Sequence, residues 1–154
     1  MLIDAATLPR KKWNIAIVTS LFNETITKAM EKGAVDKLAE NDLEPVAQVY
    51  VPGAVEIPLV VQTLLQKDNV DGVVALGLVI RGETTHYDYV CQSVERGCSQ
   101  LQLDFHKPVA FGVLTTENRE QAEARSGGRK GNKGSDAAQV TLDMLAVLGE
   151  LDKL

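Results

Sequence analysis

Four short apolar runs punctuate the chain: IAIVTS at 15–20, PVAQVYV at 45–51, GVVALGLVI at 72–80 and PVAFGVL at 108–114. Rich in β-branched residues and only weakly alternating, they read as strands buried on both faces. Segments of helical period lie between them. Ile26, Met30, Ala34 and Leu38 recur every four residues behind Asn23, a suitable N-cap, and the interior Gly33 weakens that helix without excluding it. Residues 55–66 are apolar almost all round, with Pro58 in the first turn, where a missing N–H costs little. Tyr87, Val90, Cys91, Val94, Cys98 and Leu101 form the clearest amphipathic stripe, expected to end near Phe105 ahead of Pro108. A short helix is expected over 118–125. A terminal one starts near Ser135, with Ala137, Val140, Met144, Leu148 and Leu151 on one stripe.

Strand and helix in alternation predict an α/β fold, a parallel sheet covered on both faces and joined by right-handed crossovers. With 154 residues, 45% of them hydrophobic, the chain holds one full core. We therefore expect a single domain over 1–154, with residues 1–13 as an N-terminal arm. A net charge of −5 opposes a general nucleic-acid binder, so any anion site must be local. Cys91 and Cys98 stand seven apart on one helical face, which suits two buried thiols rather than a CxxC metal or redox pair. The opening MLIDAATLPRKKW lacks a signal-like apolar stretch, and no run reaches membrane-spanning length, so the expected location is cytoplasmic with no membrane partner.

Parallel α/β sheets bind ligands beyond the carboxyl ends of their strands, and here those ends are polar. They read LFNET, PGAVEIP, RGETTHYDY and TTENRE. One rim thus collects the ring of Phe22, the amide of Asn23, the carboxylate of Glu56, the turn from Arg81 to Thr85 and the imidazole of His86. This combination suits a polar, partly aromatic small molecule. Plainer readings stand beside it: Asn23 as a cap, Phe22 as a rim hydrophobe, Arg81 as a surface ion-pair partner. His86 follows Thr84 and Thr85 at a helix start, where free N–H groups and the dipole favour a phosphate and a neutral imidazole suited to proton transfer. His106 reads as a C-terminal complement to the helix dipole. RSGGRKGNKG at 125–134 gathers Arg125, Arg129, Lys130 and Lys133 among glycines, as an anion loop or a solvated basic one. It lacks the Walker spacing, and no GxGxxG follows the first strand, which argues against a dinucleotide cofactor.

From Asn14 to Leu151 the chain resembles the lumazine synthase family. The resemblance is carried by FN at 22–23, PGAVEIP at 52–58, LGLVIRGETTHYDYV at 76–90, PVAFGVLTTEN at 108–118 and the 125–134 loop. It implies a flavodoxin-like three-layer α/β/α sandwich around a four-stranded parallel sheet, with an N-terminal strand available to a neighbouring subunit. The implied reaction condenses two small molecules, 5-amino-6-(D-ribitylamino)uracil and 3,4-dihydroxy-2-butanone 4-phosphate, into 6,7-dimethyl-8-ribityllumazine, phosphate and water, with no metal or organic cofactor. By the same resemblance Phe22 stacks on the pyrimidine beside Asn23, and Ala54, Val55 and Glu56 hold the ribityl chain. Leu78, Val79 and Ile80 line the ring pocket, Glu83 and Thr84 form the phosphate turn, His86 transfers protons and Arg125 binds phosphate. Phe111 and Lys133 complete the pocket.

The family builds this site between subunits, Phe111, Arg125 and Lys133 coming from the neighbour. It assembles as pentamers, in many members as a sixty-subunit shell that can enclose a riboflavin synthase guest. The short 126–134 loop fits the shell, whereas Pro9 opposes the accompanying N-terminal strand exchange. Two positions depart from the family pattern: Leu21 replaces a frequent basic residue, and Glu83 puts a carboxylate beside the phosphate turn. Two rival readings are a riboflavin synthase of the lumazine-like type and a binding shell protein without turnover. The RGETTHYDYV turn and the Arg125 loop favour a phosphorylated substrate over the first, and the pairing of His86 with Arg125 argues against the second.

Overall fold

The computed structural model describes residues 1–154. Four strands, β1 (Ile15–Ser20), β2 (Ala47–Val51), β3 (Gly72–Ile80) and β4 (Val109–Thr116), form one parallel sheet in the order β2-β1-β3-β4. Five helices cover it: α1 (Glu24–Ala39), α2 (Ile57–Leu65), α3 (His86–Phe105), α4 (Arg119–Ala124) and α5 (Lys133–Leu151). Alternate strand residues feed two cores. Ile15, Ile17, Val74, Leu76, Leu78 and Leu114 face α1, α4 and α5, whereas Ala16, Val18, Val73, Ala75 and Val113 face α2 and α3. The fold is thus the expected flavodoxin-like three-layer sandwich; β1, β3 and most of β4 are buried on both faces, whereas β2, expected to be so too, lies at the sheet edge and alternates half-buried with exposed positions up to the buried Val51.

Strand order reverses between β1 and β3, one crossover leading outward to β2 and the other to β4. A crevice opens at such a switch point beyond the strands' carboxyl ends. Two groups of contacts hold its floor. Leu21 and Phe22 continue the sheet by donating their N–H groups to Val51 and Pro52 carbonyls, at 2.8 and 3.0 Å. Below them the buried carboxylate of Glu31 accepts from the hydroxyls of Thr19, at 3.0 Å, and Tyr50, at 2.9 Å. These bonds tie β1 and β2 to α1, and the hydrogen bond to Glu31 together with its charge raises the Tyr50 phenol pKa.

Four further expectations are corrected. The 55–66 helix is instead a 3-10 turn, Ala54–Glu56, leading into α2; Ile57, Val61 and Leu65 are buried, while Val55 and Leu59 stay exposed. Asn23 precedes α1 in the left-handed region at φ 58° and its side chain makes no cap bond. The 125–134 loop contains a small antiparallel hairpin, β5 (Ser126–Gly128) and β6 (Gly131–Asn132), with positive φ at Gly127 and Gly131.

The fourth correction concerns the rotation of α5. It buries Ala137, Ala138, Thr141, Leu142, Leu145 and Ala146, while Val140, Met144 and Leu151 of the expected stripe are 50%, 41% and 45% exposed. Contact with α1 explains this: a Cβ on Gly134 would lie 1.9 Å from the Met30 carbonyl oxygen, so the small residues must face α1. Asn132 locks the approach by donating to the Ala29 carbonyl at 3.0 Å.

Residues 1–14 contain no strand, because within one chain an extended arm lies against no sheet edge. A 3-10 turn at Ala5–Thr7 is capped by Asp4, and Arg10 docks on α5 through the Leu142 carbonyl, at 3.1 Å, and the Asp143 carboxylate. No helix is long and apolar enough to cross a membrane.

Candidate active site

Two clefts flank the carboxyl ends of β3 and β4. The first, about 370 Å³, opens at the switch point. Phe22 stands at its mouth, 63% exposed, immediately after β1. Residues 53–56 supply one wall, and Leu78, Val79 and Ile80 the floor. The turn after β3 contributes Gly82 and Thr84, and the first turn of α3 contributes His86, Tyr87 and Val90. Glu56 shapes its own wall: one carboxylate oxygen accepts the Gly53 N–H at 2.9 Å, and the 3-10 turn starts there. Thr84 does the same for α3, its hydroxyl accepting the His86 N–H at 3.3 Å while Thr85 makes no side-chain cap. His86 is therefore an exposed imidazole held at a helix start beside a hydroxyl.

The second cleft, about 610 Å³, lies beyond β4 and is far more polar. Phe111, Thr115, Thr116 and Gln121 line it together with Arg125, Lys130 and Lys133, and the one carboxylate present is Asp136. Arg125 closes α4 and donates Nη1 to the Gln121 carbonyl at 2.9 Å, its single side-chain hydrogen bond within the chain. Neither Lys130 nor Lys133 is in an ion pair. Three cations against one carboxylate give this cleft a local positive balance in an acidic protein.

The sequence candidates thus divide. Phe22, Ala54, Val55, Glu56, Leu78, Val79, Ile80, Thr84 and His86 share the first cleft; Phe111, Arg125 and Lys133 share the second. Asn23 and Glu83 line neither, and the Glu83 side chain is exposed to solvent. The sequence places Tyr87 and Val90 in the helix stripe only, and Lys130 in the 125–134 loop with no role of its own. The position of the two apolar residues one and four places after His86 was the available signal. Burial raises the Tyr87 phenol pKa. Burial also raises the Cys91 thiol and pushes Cys98, behind the cleft in the α3 core, up to about 12, so both are poor nucleophiles.

Arg81 directly follows β3 and lines neither cleft. Its Nε is 2.8 Å from Glu117 and its Nη2 3.5 Å from Asp88, and its guanidinium carbon is 4.3 Å from the Tyr87 ring centroid. Desolvation lowers the guanidinium pKa, but the charges of Glu117 and Asp88 outweigh it and the net shift is upward. No three His, Cys, Asp or Glu side chains converge as metal ligands would.

Residues 12–149 match the family model described as 6,7-dimethyl-8-ribityllumazine synthase. Among relatives named 6,7-dimethyl-8-ribityllumazine synthase, the Bdellovibrio bacteriovorus protein is 52% identical over 140 residues, covering 91% of this chain and 78% of that one. The Coxiella burnetii protein is 44% identical over 147 residues, covering 94% and 97%, and the Pediococcus pentosaceus protein 47% over 144, covering 92% of each. A switch-point cleft, a separate cation-lined cleft and a match along nearly the whole chain agree, and the chain belongs to the 6,7-dimethyl-8-ribityllumazine synthase family.

Proposed function

We propose that the chain works as one domain over 1–154, with residues 1–13 as its arm, and catalyses cofactor-independent formation of 6,7-dimethyl-8-ribityllumazine. The substrates are 5-amino-6-(D-ribitylamino)uracil and 3,4-dihydroxy-2-butanone 4-phosphate. In the first cleft the pyrimidine stacks on Phe22 above Leu78, Val79 and Ile80, and the ribityl hydroxyls reach Glu56 and the backbone of 54–55. Asn23 helps from the rim. The 5-amino group attacks the ketone carbonyl and loses water to give an imine. Phosphate then leaves, and the ribitylamino nitrogen closes the ring with loss of a second water. His86 moves protons between these steps. Thr84 and the backbone of the turn that carries Glu83 hold the phosphate ester, and Arg125 takes the departing anion.

The observation that carries this reading is the division of the candidates between two clefts. In a shared site, an anion held by Arg125 and Lys133 of one copy meets His86 of another where the second cleft of the first faces the first cleft of the second. We infer a homo-oligomer with shared sites, in which Phe111, Arg125 and Lys133 serve the neighbour's His86. The exposed apolar residues of α2 and α5, Leu59, Val140 and Met144 among them, support such packing. A cytoplasmic pentamer is the unit proposed, with the sixty-subunit shell and a riboflavin synthase guest as further assembly. The reading is tested by mixing the purified protein with both substrates and following lumazine absorbance and released phosphate. Phosphate without lumazine, or no reaction, would refute it.

A further inference from the structure

We infer that Arg81 is a positioning residue for this reaction, clamping the turn at 82–85 so that Thr84 and His86 face the first cleft. The inference rests on the reading that these two groups meet the phosphorylated ketone. The turn has little support of its own. Its residues are exposed, and a Cβ built on Gly82 would have no atom within 4 Å. Arg81 ties three segments together at its base. Its N–H donates to the Thr116 carbonyl at 2.8 Å, its Nε reaches Glu117 beyond β4, and its Nη2 approaches Asp88 in the first turn of α3. The flat face lies over Tyr87, which itself lines the cleft beside His86.

Arg81 is not placed as a phosphate ligand. It lines neither cleft, and two of its nitrogens and one face are committed. Its charge also offsets Glu117 and Asp88, which would otherwise stand uncompensated near an incoming dianion. Because exposed ion pairs add little to stability, loss of the clamp should appear in kinetics and not in melting. Lysine keeps the charge but not the fork or the flat face.

The test compares wild type with Arg81→Gln, Arg81→Lys and Glu117→Gln, using His86→Ala as a reference. Each is assayed for kcat, for KM of both substrates, for inhibition by inorganic phosphate and for thermal midpoint. Arg81→Gln should lose roughly 10- to 100-fold in kcat/KM for the phosphorylated ketone, as expected for a misplaced catalytic turn. Its pyrimidine KM and melting should be unchanged. Arg81→Lys should stay impaired, and Glu117→Gln should weaken phosphate binding in the same direction. Tighter phosphate binding in Glu117→Gln would mean that a freed Arg81 binds the anion directly, and would overturn the clamp. Full activity in Arg81→Lys, or a parallel loss in both KM values with a lowered midpoint, would overturn it too. If wild type forms no lumazine, or His86→Ala turns over normally, the functional reading falls instead.

Discussion

Charge and proton transfer meet at single residues, and two of them separate binding from turnover. Arg125 has one hydrogen bond within the chain and a cleft in front of it, so its remaining N–H groups are available to an anion. Replacing it with Ala should remove about 1.5–3 kcal/mol of charge-assisted binding, roughly a 10- to 150-fold rise in KM for the phosphorylated ketone. An unchanged KM in steady-state assays would remove Arg125 from the site. His86→Ala should instead lower kcat by ~10²-fold while the pyrimidine still binds, which a fluorescence titration would detect. Most of these side chains were legible in the sequence because each follows a strand and carries unusual polarity for its place. The capping role of Asn23 was not correctly read: its left-handed backbone makes the turn out of β1, and its side chain makes no cap bond to α1. The contacts of Arg81 were open as well, since Glu117 is 36 residues away and only the pairing of β3 with β4 brings it near.

At the scale of elements, the closest joint in the molecule is α1 against α5. Gly134→Ala places a methyl inside the Met30 carbonyl, which cannot retreat as a flexible side chain would. The expected loss is about 1–3 kcal/mol, read as a lower urea midpoint at unchanged m-value. In α3, Cys98 gives a pH signature. Its thiol stays protonated in the folded protein up to about 12, against an ordinary value of 9.0. The unfolded chain therefore sheds that proton first, and folding stability, complete below pH 9, falls as pH rises from there towards 12. Urea midpoints measured through this range should fall more steeply for wild type than for Cys98→Ala. Parallel slopes would show that the thiol is not the source. β1 and β3 were legible from end to end because burial on both faces leaves a continuous apolar run, whereas β4 runs on to Thr115 and Thr116 and the edge strand β2 alternates half-buried with exposed positions. The stripe of α5 was not, since apolar residues occupy more than one of its faces and the choice between them is made by Gly134 meeting α1.

For the whole molecule, the proposed shared site assigns the two clefts to different neighbours. A chain lacking His86 still offers a complete second cleft, and a chain lacking Arg125 a complete first one. Co-expressed His86→Ala and Arg125→Ala chains should therefore recover activity that neither has alone, at about one site in four for random mixing. Activity no greater than that of the separate variants would place the site within one chain. Light scattering on the purified protein measures the size of the assembly directly. This division was not visible in composition or periodicity. It entered through family resemblance, and in the structure His86 lines one cleft and Arg125 the other.

The separation of the two clefts also bears on how the catalyst behaves on dilution. If each chain holds only halves of sites, the number of working centres follows the population of subunit contacts and not the number of chains. Specific activity should then be constant in concentrated solution and collapse once subunits separate, with a lag on reconcentration while the ring reforms.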